Sequence, residues 1–207
     1  MQEKPLDSPA DLLPGLLWDS GVLDFGEFVL TSGKKSPYYV DLRLLPSSPH
    51  NFDRAVELCV EILESKRIKF DKICGVATGG LPLATLLANK TETPLTYVRA
   101  SKKEHGEEQR VEGGLAAGNR VLVVDDIVTT GGSLIEAVKS IRREGAEVKD
   151  CLVLVDREEG GTENLRDENV TLQSVGNISS IVNRLEEQGK LSTNQTEKVR
   201  AYIGRGE

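Results

Sequence analysis

The sequence is poor in the residues that most often mark a specialised surface. Aromatic residues make up 4% of its 207 positions, too few for a platform on which nucleic-acid bases stack. Basic residues do not predominate: 26 Lys and Arg stand against 33 Asp and Glu, for a net charge of −7. A general nucleic-acid surface needs the opposite balance. Only three cysteines occur, Cys59, Cys74 and Cys151. An odd number set within apolar patterns argues against a disulfide frame or a metal cluster and for reduced core residues. No apolar run approaches the ~18 residues of a membrane span, and the opening MQEKPLDSPADLL lacks the basic-then-apolar pattern of a secretion signal. The expectation is a cytoplasmic protein with no nucleic-acid or membrane partner.

What the chain does have is the balance of an ordinary core, 38% hydrophobic and 29% charged, in a length that suits one α/β domain. Ser8 as N-cap with Pro9 at the first helical position predicts a short helix over 8–23. FGEFVLTSGKKSPYYVDLR follows, two strand-like runs around a Ser-Gly-Lys-Lys-Ser-Pro turn that predict a hairpin. Residues 50–66 place Phe52, Ala55, Val56, Cys59, Ile62 and Leu63 on one helical face. KICGVA, LPLATLLANK, PLTYVR, NRVLVVDD, residues 132–144 and VKDCLVLVDR then alternate strand and helix. Continuous apolar strands in that alternation predict a mostly parallel sheet covered on both faces. Beyond residue 178 the pattern is helical and carries no motif.

In such sheets ligands bind at the carboxyl ends of the strands. The unusual stretches ATGG, RASKKEHGEE, DDIVTTGGS and DREEGG all fall at such ends. Among them RVLVVDDIVTTGGSL, residues 120–134, stands out, because an apolar strand stops on two adjacent carboxylates. Strand alternation sends Asp125 and Asp126 to opposite faces. Carboxylates accept bidentate hydrogen bonds from a diol or hold Mg²⁺, often through water. The turn Val128-Thr129-Thr130-Gly131-Gly132-Ser133 adds consecutive backbone N–H groups, hydroxyls and a helix N-terminus, which make a phosphate cradle. A group with a diol at one end and a phosphate at the other is a ribose 5-phosphate. A Walker A loop would need a Lys after its second Gly, and a dinucleotide fingerprint would put glycines directly after the strand. Neither is present.

VLVVDDIVTTGGS resembles the phosphoribosyl-diphosphate (PRPP) signature of the type I phosphoribosyltransferases. FVLTSGKKSPYYVDLR, GVATGGLPLA, YVRASKKEHG and LVLVDREEG occur in the order and spacing of the orotate phosphoribosyltransferase family. The resemblance implies an α/β type I phosphoribosyltransferase fold: one domain over 1–207, a central mostly parallel sheet flanked by helices, and a small N-terminal hood of helix plus hairpin. Residues 20–45 would lie over the base site. It implies transfer of the phosphoribosyl group from PRPP to orotate with Mg²⁺, in a homodimer whose active sites are shared across the interface. A PRPP-sensing regulator on the same fold, and a transferase for another base, are the alternatives.

Carried over residue by residue, Asp125 and Asp126 hold the ribose hydroxyls and the metal, with Asp126 nearer the reaction. Ile127, Val128, Thr129, Thr130, Gly131, Gly132 and Ser133 wrap the 5-phosphate. Thr78 and Gly79 belong to a pyrophosphate loop, Ala77 to Gly80, whose glycines allow close approach and positive φ. Arg99, Lys103 and His105 come from a cationic lid that serves the neighbouring subunit, Lys103 and His105 acting on the reacting groups. Thr129 and Arg157 contact orotate, Arg157 through the substrate carboxylate; on local sequence alone a salt bridge from Arg157 to Glu158 or Glu159 explains it equally well. Thr31 to Gly33 and Tyr38–Tyr39 would cover the base. Three lysines common in the family are replaced by Thr31, Gly79 and Ala100, a pattern similar to archaeal members, with Lys34, Lys35 and Lys102 as candidate substitutes.

Overall fold

The computed structural model describes residues 8–29, 33–99 and 110–204. Helix α1 (Pro9–Asp19) opens at Ser8 and Pro9 as expected, with the Asp11 carboxylate accepting the Ser8 backbone N–H at 3.0 Å. It stops short of the expected residue 23 because Gly21, at φ +65°, turns the chain into strand β1 (Leu23–Val29). Strand β2 (Lys35–Val40) pairs antiparallel with it, from Leu23 opposite Val40 to Val29 opposite Lys35. This is the expected hairpin, and it forms a two-stranded sheet of its own. A 3-10 turn (Leu42–Ser47) leads into α2 (Pro49–Ser65), which buries Ala55, Val56, Cys59 and Leu63.

The main body runs β3 (Lys72–Val76), α3 (Gly80–Lys90), β4 (Leu95–Val98), β5 (Val111–Glu112), β6 (Arg120–Val124) and β7 (Ile127–Val128). It continues with α4 (Gly132–Arg143), β8 (Glu147–Asp156), α5 (Gly161–Asp167), β9 (Thr171–Asn177), α6 (Ile178–Glu187) and α7 (Thr193–Ile203). The strands lie in the spatial order β5-β4-β3-β6-β8-β9, and among the described strands of this sheet β5 alone runs antiparallel. β7 extends the β6 side of the sheet along the far end of β8, with Ile127 opposite Val155.

Burial along the central strands alternates between two cores. Leu122, Val124, Leu152 and Leu154 face the layer of α1, α2, α3, α6 and α7, whereas Val121, Val123, Cys151 and Val153 face α4 and α5. With both faces covered, the strands need apolar residues at every position, hence the unbroken runs in the sequence.

Four elements go beyond what the pattern shows. β5 and β7 have two residues each, too short for any periodicity. α5 is a polar helix of seven residues, and β9 at the sheet edge carries the buried Gln173, which donates to Asp150 at 3.1 Å and accepts from Lys66 at 2.6 Å. The helical stretch after residue 178 is present as α6 and α7, and α7 has a role its sequence did not disclose. It seats the hairpin, with the Tyr202 ring edge-on to Tyr38 at 5.9 Å.

Candidate active site

The carboxyl ends of β3 and β6 and the N-terminus of α4 enclose a cleft of about 540 Å³, lined by residues 40–43, 76–79 and 125–134. The chain enters it on main-chain bonds to β8: Asp125 donates its N–H to the Leu152 carbonyl at 3.1 Å, and the Asp126 carbonyl accepts from Leu154 at 3.0 Å. β6 ends at Val124, so neither aspartate keeps regular strand geometry. The expected opposite orientation therefore fails, and both carboxylates line the same cleft. Each is fixed locally, Asp125 by accepting the Asp126 N–H at 3.0 Å and Asp126 by accepting the Ile127 N–H at 2.8 Å.

Opposite them, Gly79 and Gly80 are glycines for want of room. A Cβ on Gly79 would lie 2.6 Å from Asp126 Oδ2, and one on Gly80 would lie 2.7 Å from the Val124 carbonyl and 2.8 Å from Asp125 Oδ1. The expected positive φ is not what they supply: Gly79 has φ −62°. Close approach alone explains the pair. A lysine at position 79 could not coexist with Asp126 as it stands here.

Burial pushes the Asp125 carboxyl well above the ordinary carboxylate range, and the adjacent Asp126 charge adds to the effect. Asp126 is raised for the same first reason, burial, and is partly held down by hydrogen bonds and by the Arg43 charge. Arg43 and Asp41, paired at 2.7 Å in a two-point contact, line the cleft and were not singled out from the sequence. The available signal was the short YYVDLR run after the hairpin, where the Asp and Arg sit two apart. Among the described residues no three His, Cys, Asp or Glu side chains converge on a metal position. Two carboxylates with space before them fit Mg²⁺, which commonly takes one or two protein carboxylates and completes its shell with water and substrate phosphate.

The 129–133 turn is built as an anion cradle. Gly131 takes φ +81° and its carbonyl accepts the first helical bond of α4, from Ile135 at 2.9 Å. The N–H groups of Gly132, Ser133 and Leu134 precede that bond and point from the helix start. α5 braces the turn: Asn164 donates to the Thr130 carbonyl at 2.9 Å, and a Cβ on Gly161 would sit 2.6 Å from Val128 Cγ2.

Arg99 and Arg110 flank residues 100–109, which lie outside the described residues, and are joined by an Arg99 N–H to Arg110 carbonyl bond of 3.0 Å. Their guanidinium groups lie against Glu112 at 3.4 Å and Glu136 at 3.0 Å. They border the cleft through Val76, Ala77 and Ser133. Lys102, Lys103, His105, Ala100, Thr31 and Ser32 lie outside the described residues.

Arg157 is one residue beyond β8, and its N–H bonds the Val128 carbonyl at 3.0 Å. Its side chain does not line the cleft. Nε meets the Tyr38 hydroxyl at 3.3 Å, Nη2 meets Glu159 Oε1 at 2.9 Å, and the group lies 5.2 Å from the Tyr38 ring centre. The local salt bridge to Glu159 is thus formed. Tyr38, on the hairpin strand β2, is buried and burial raises its hydroxyl to about 12, so of the two tyrosines expected to cover a base only Tyr39 is exposed.

A carboxyl whose folded value is raised stabilises the fold below its ordinary value and loses that contribution as pH climbs through the raised one. The unliganded protein should therefore lose melting temperature as pH climbs from about 4 to about 8, the raised Asp125 value, and Asp125→Asn should flatten that decline. Equal slopes in the two proteins would contradict the buried, like-charged pair.

The comparisons with known proteins agree with this cleft. The family model described as phosphoribosyl transferase domain matches residues 47–184, a span that takes in the glycine turn, the aspartates and the cradle. Orotate phosphoribosyltransferase of Sulfolobus acidocaldarius is 44% identical over 193 residues, 93% of this chain and 96% of that one. The crystal structure of orotate phosphoribosyltransferase from Aeropyrum pernix superposes with a TM-score of 0.78 at 39% identity, over 87% of this chain and 99% of that one. The Mycobacterium tuberculosis orotate phosphoribosyltransferase, solved in complex with PRPP, gives a TM-score of 0.67 at 26% identity, over 84% of this chain and 98% of that one. Likeness of this extent, reaching beyond the shared catalytic core into the N-terminal hairpin, means that the chain belongs to the orotate phosphoribosyltransferase branch of the phosphoribosyltransferase family.

Proposed function

We propose that the protein transfers the 5-phosphoribosyl group of PRPP to orotate, giving orotidine 5′-monophosphate and pyrophosphate. The observation that carries this is the meeting of two buried carboxylates, a glycine turn and a helix-start anion cradle in one cleft. The cradle at Thr129 to Ser133 takes the 5-phosphate. Asp125 and Asp126 take the ribose hydroxyls, and the turn at Thr78 and Gly79 takes the pyrophosphate end. In the reaction the C1′–O bond to pyrophosphate breaks, a C1′–N bond to the pyrimidine forms, and the proton of the ring nitrogen passes to the departing pyrophosphate. Mg²⁺, when bound through Asp125 and Asp126, supplies neutralisation of the leaving group. The remaining work is positioning and exclusion of water, which needs no nucleophile–base pair.

Thr129 and Arg157 face the base in this account, and the hairpin forms its cover. Arg99, Lys103 and His105 serve the leaving group from the neighbouring protomer of a homodimer. The chain's three cysteines are free and buried, and among the described residues no helix is long and apolar enough to cross a membrane; both features support a cytoplasmic enzyme.

Incubation with PRPP, Mg²⁺ and each of orotate, uracil, adenine, guanine and xanthine tests the substrate. Orotate alone should be consumed; consumption of a different base would overturn the assignment.

The shared site has its own test. An inactive Lys103→Ala/His105→Ala protein and an inactive Asp125→Asn/Asp126→Asn protein are dissociated and reassociated together. About half the dimers should be mixed, each with one intact site, so about a quarter of wild-type activity should return. No recovery after demonstrated exchange would place the lid on its own subunit.

A further inference from the structure

Arg157 presents a contradiction between role and position. The proposed reading needs its guanidinium at the substrate carboxylate, yet here it does not line the cleft and already holds a carboxylate. The partner is Glu159, at 2.9 Å, and the two side chains are only 14% and 20% exposed. Glu159 Oε1 is buried and, this ion pair aside, has no hydrogen-bond partner among the described residues. Its neighbour cannot take its place, because Glu158 Oε2 accepts the Ser179 N–H at 2.8 Å.

We propose that Glu159 is a latch on Arg157, an internal carboxylate that occupies the guanidinium until the carboxylate of the incoming pyrimidine replaces it. The proposal rests on the orotate phosphoribosyltransferase reading above. A guanidinium this enclosed is costly without a counter-charge, so the empty site must supply one. Orotate brings the same functional group and can exchange with Glu159 at little cost. Uracil offers no anion; displacing Glu159 would leave the buried charge without a partner, so the ion pair stays shut against it. Tyr38 stays in place during the exchange as the fixed side of the clamp, through its hydroxyl on Nε and its ring against the guanidinium. Next to Glu159, Gly160 holds φ +91° and opens α5, giving the acidic residue a pivot on which to turn away. Glu159 is thus a specificity-determining residue that competes with the substrate for one arginine.

The test is the Michaelis constant of each substrate in the wild type, Glu159→Gln and Glu159→Asp. Removing a competing charged hydrogen bond should lower the orotate constant roughly tenfold in Glu159→Gln, with the PRPP constant changed by less than about twofold. Glu159→Asp, one methylene shorter and more conservative for folding, should shift the orotate constant in the same direction by less. Adding Arg157→Ala to Glu159→Gln should erase the gain, which a general loosening of the turn would not do. An orotate constant that rises or stays level in a folded Glu159 variant overturns the latch. If the wild type itself fails to consume orotate, the underlying reading falls instead, so the two failures are distinguishable.

Discussion

Two carboxylates of consecutive residues, Asp125 and Asp126, are pressed against two glycines that leave no room for a side chain between them. The cleft is organised by that contact. It brings the end of β6 to the start of α3 closely enough that a single Cβ at Gly79 or Gly80 would collide with a carboxylate or with the β6 main chain. It also keeps two like charges in a partly buried place, which raises their protonation and leaves them short of a cation. In the proposed function a polyphosphate substrate arriving with Mg²⁺ relieves that shortage, so that the unfavourable electrostatics of the empty site would become affinity in the filled one.

The cations around the cleft are treated in the opposite way. Arg43 is paired with Asp41, Arg110 with Glu136, Arg99 lies against Glu112 and Arg157 is paired with Glu159. A chain of net charge −7 thus keeps a set of guanidinium groups near an anion-binding cleft, each balanced by an acid of its own. Under the proposed function anionic substrates would bind by exchanging for these internal partners or by joining them, and specificity would depend on which pairs can open. The pair at Arg157 is the most enclosed of the four.

The parallel sheet was legible because strands buried on both faces spell out unbroken apolar runs, as VLVV and CLVLV do. The cradle was legible because a helix start after Thr-Thr-Gly-Gly-Ser is local chemistry. Asp41 and Arg43 were harder, since their place in the cleft depends on how the hairpin returns to the sheet and not on neighbours in sequence. β5, β7 and β9 owe their pairing to strands distant in the chain, and two of them are too short to show a period. The orientation of Asp125 and Asp126 was misjudged because alternation was extended two residues past Val124, the last true strand residue. Of the two reasons the sequence offered for Gly79, close approach holds and positive φ does not, since a lack of space and a need for positive φ leave the same letter in the sequence. Arg157 kept both its possible partners in sequence, and the folded chain shows the one that the protein supplies.

The central claim, that Asp125 and Asp126 couple the sugar to the metal while the 129–133 turn holds the phosphate, is tested most directly by calorimetric titration with PRPP and with ribose 5-phosphate, each with and without Mg²⁺. The wild type should bind PRPP far more tightly when Mg²⁺ is present. Asp125→Asn/Asp126→Asn should lose that Mg²⁺ dependence and bind ribose 5-phosphate more weakly through the lost hydroxyl contacts, while the intact cradle keeps a residual affinity for it. A double variant that keeps the full Mg²⁺ enhancement would contradict the account.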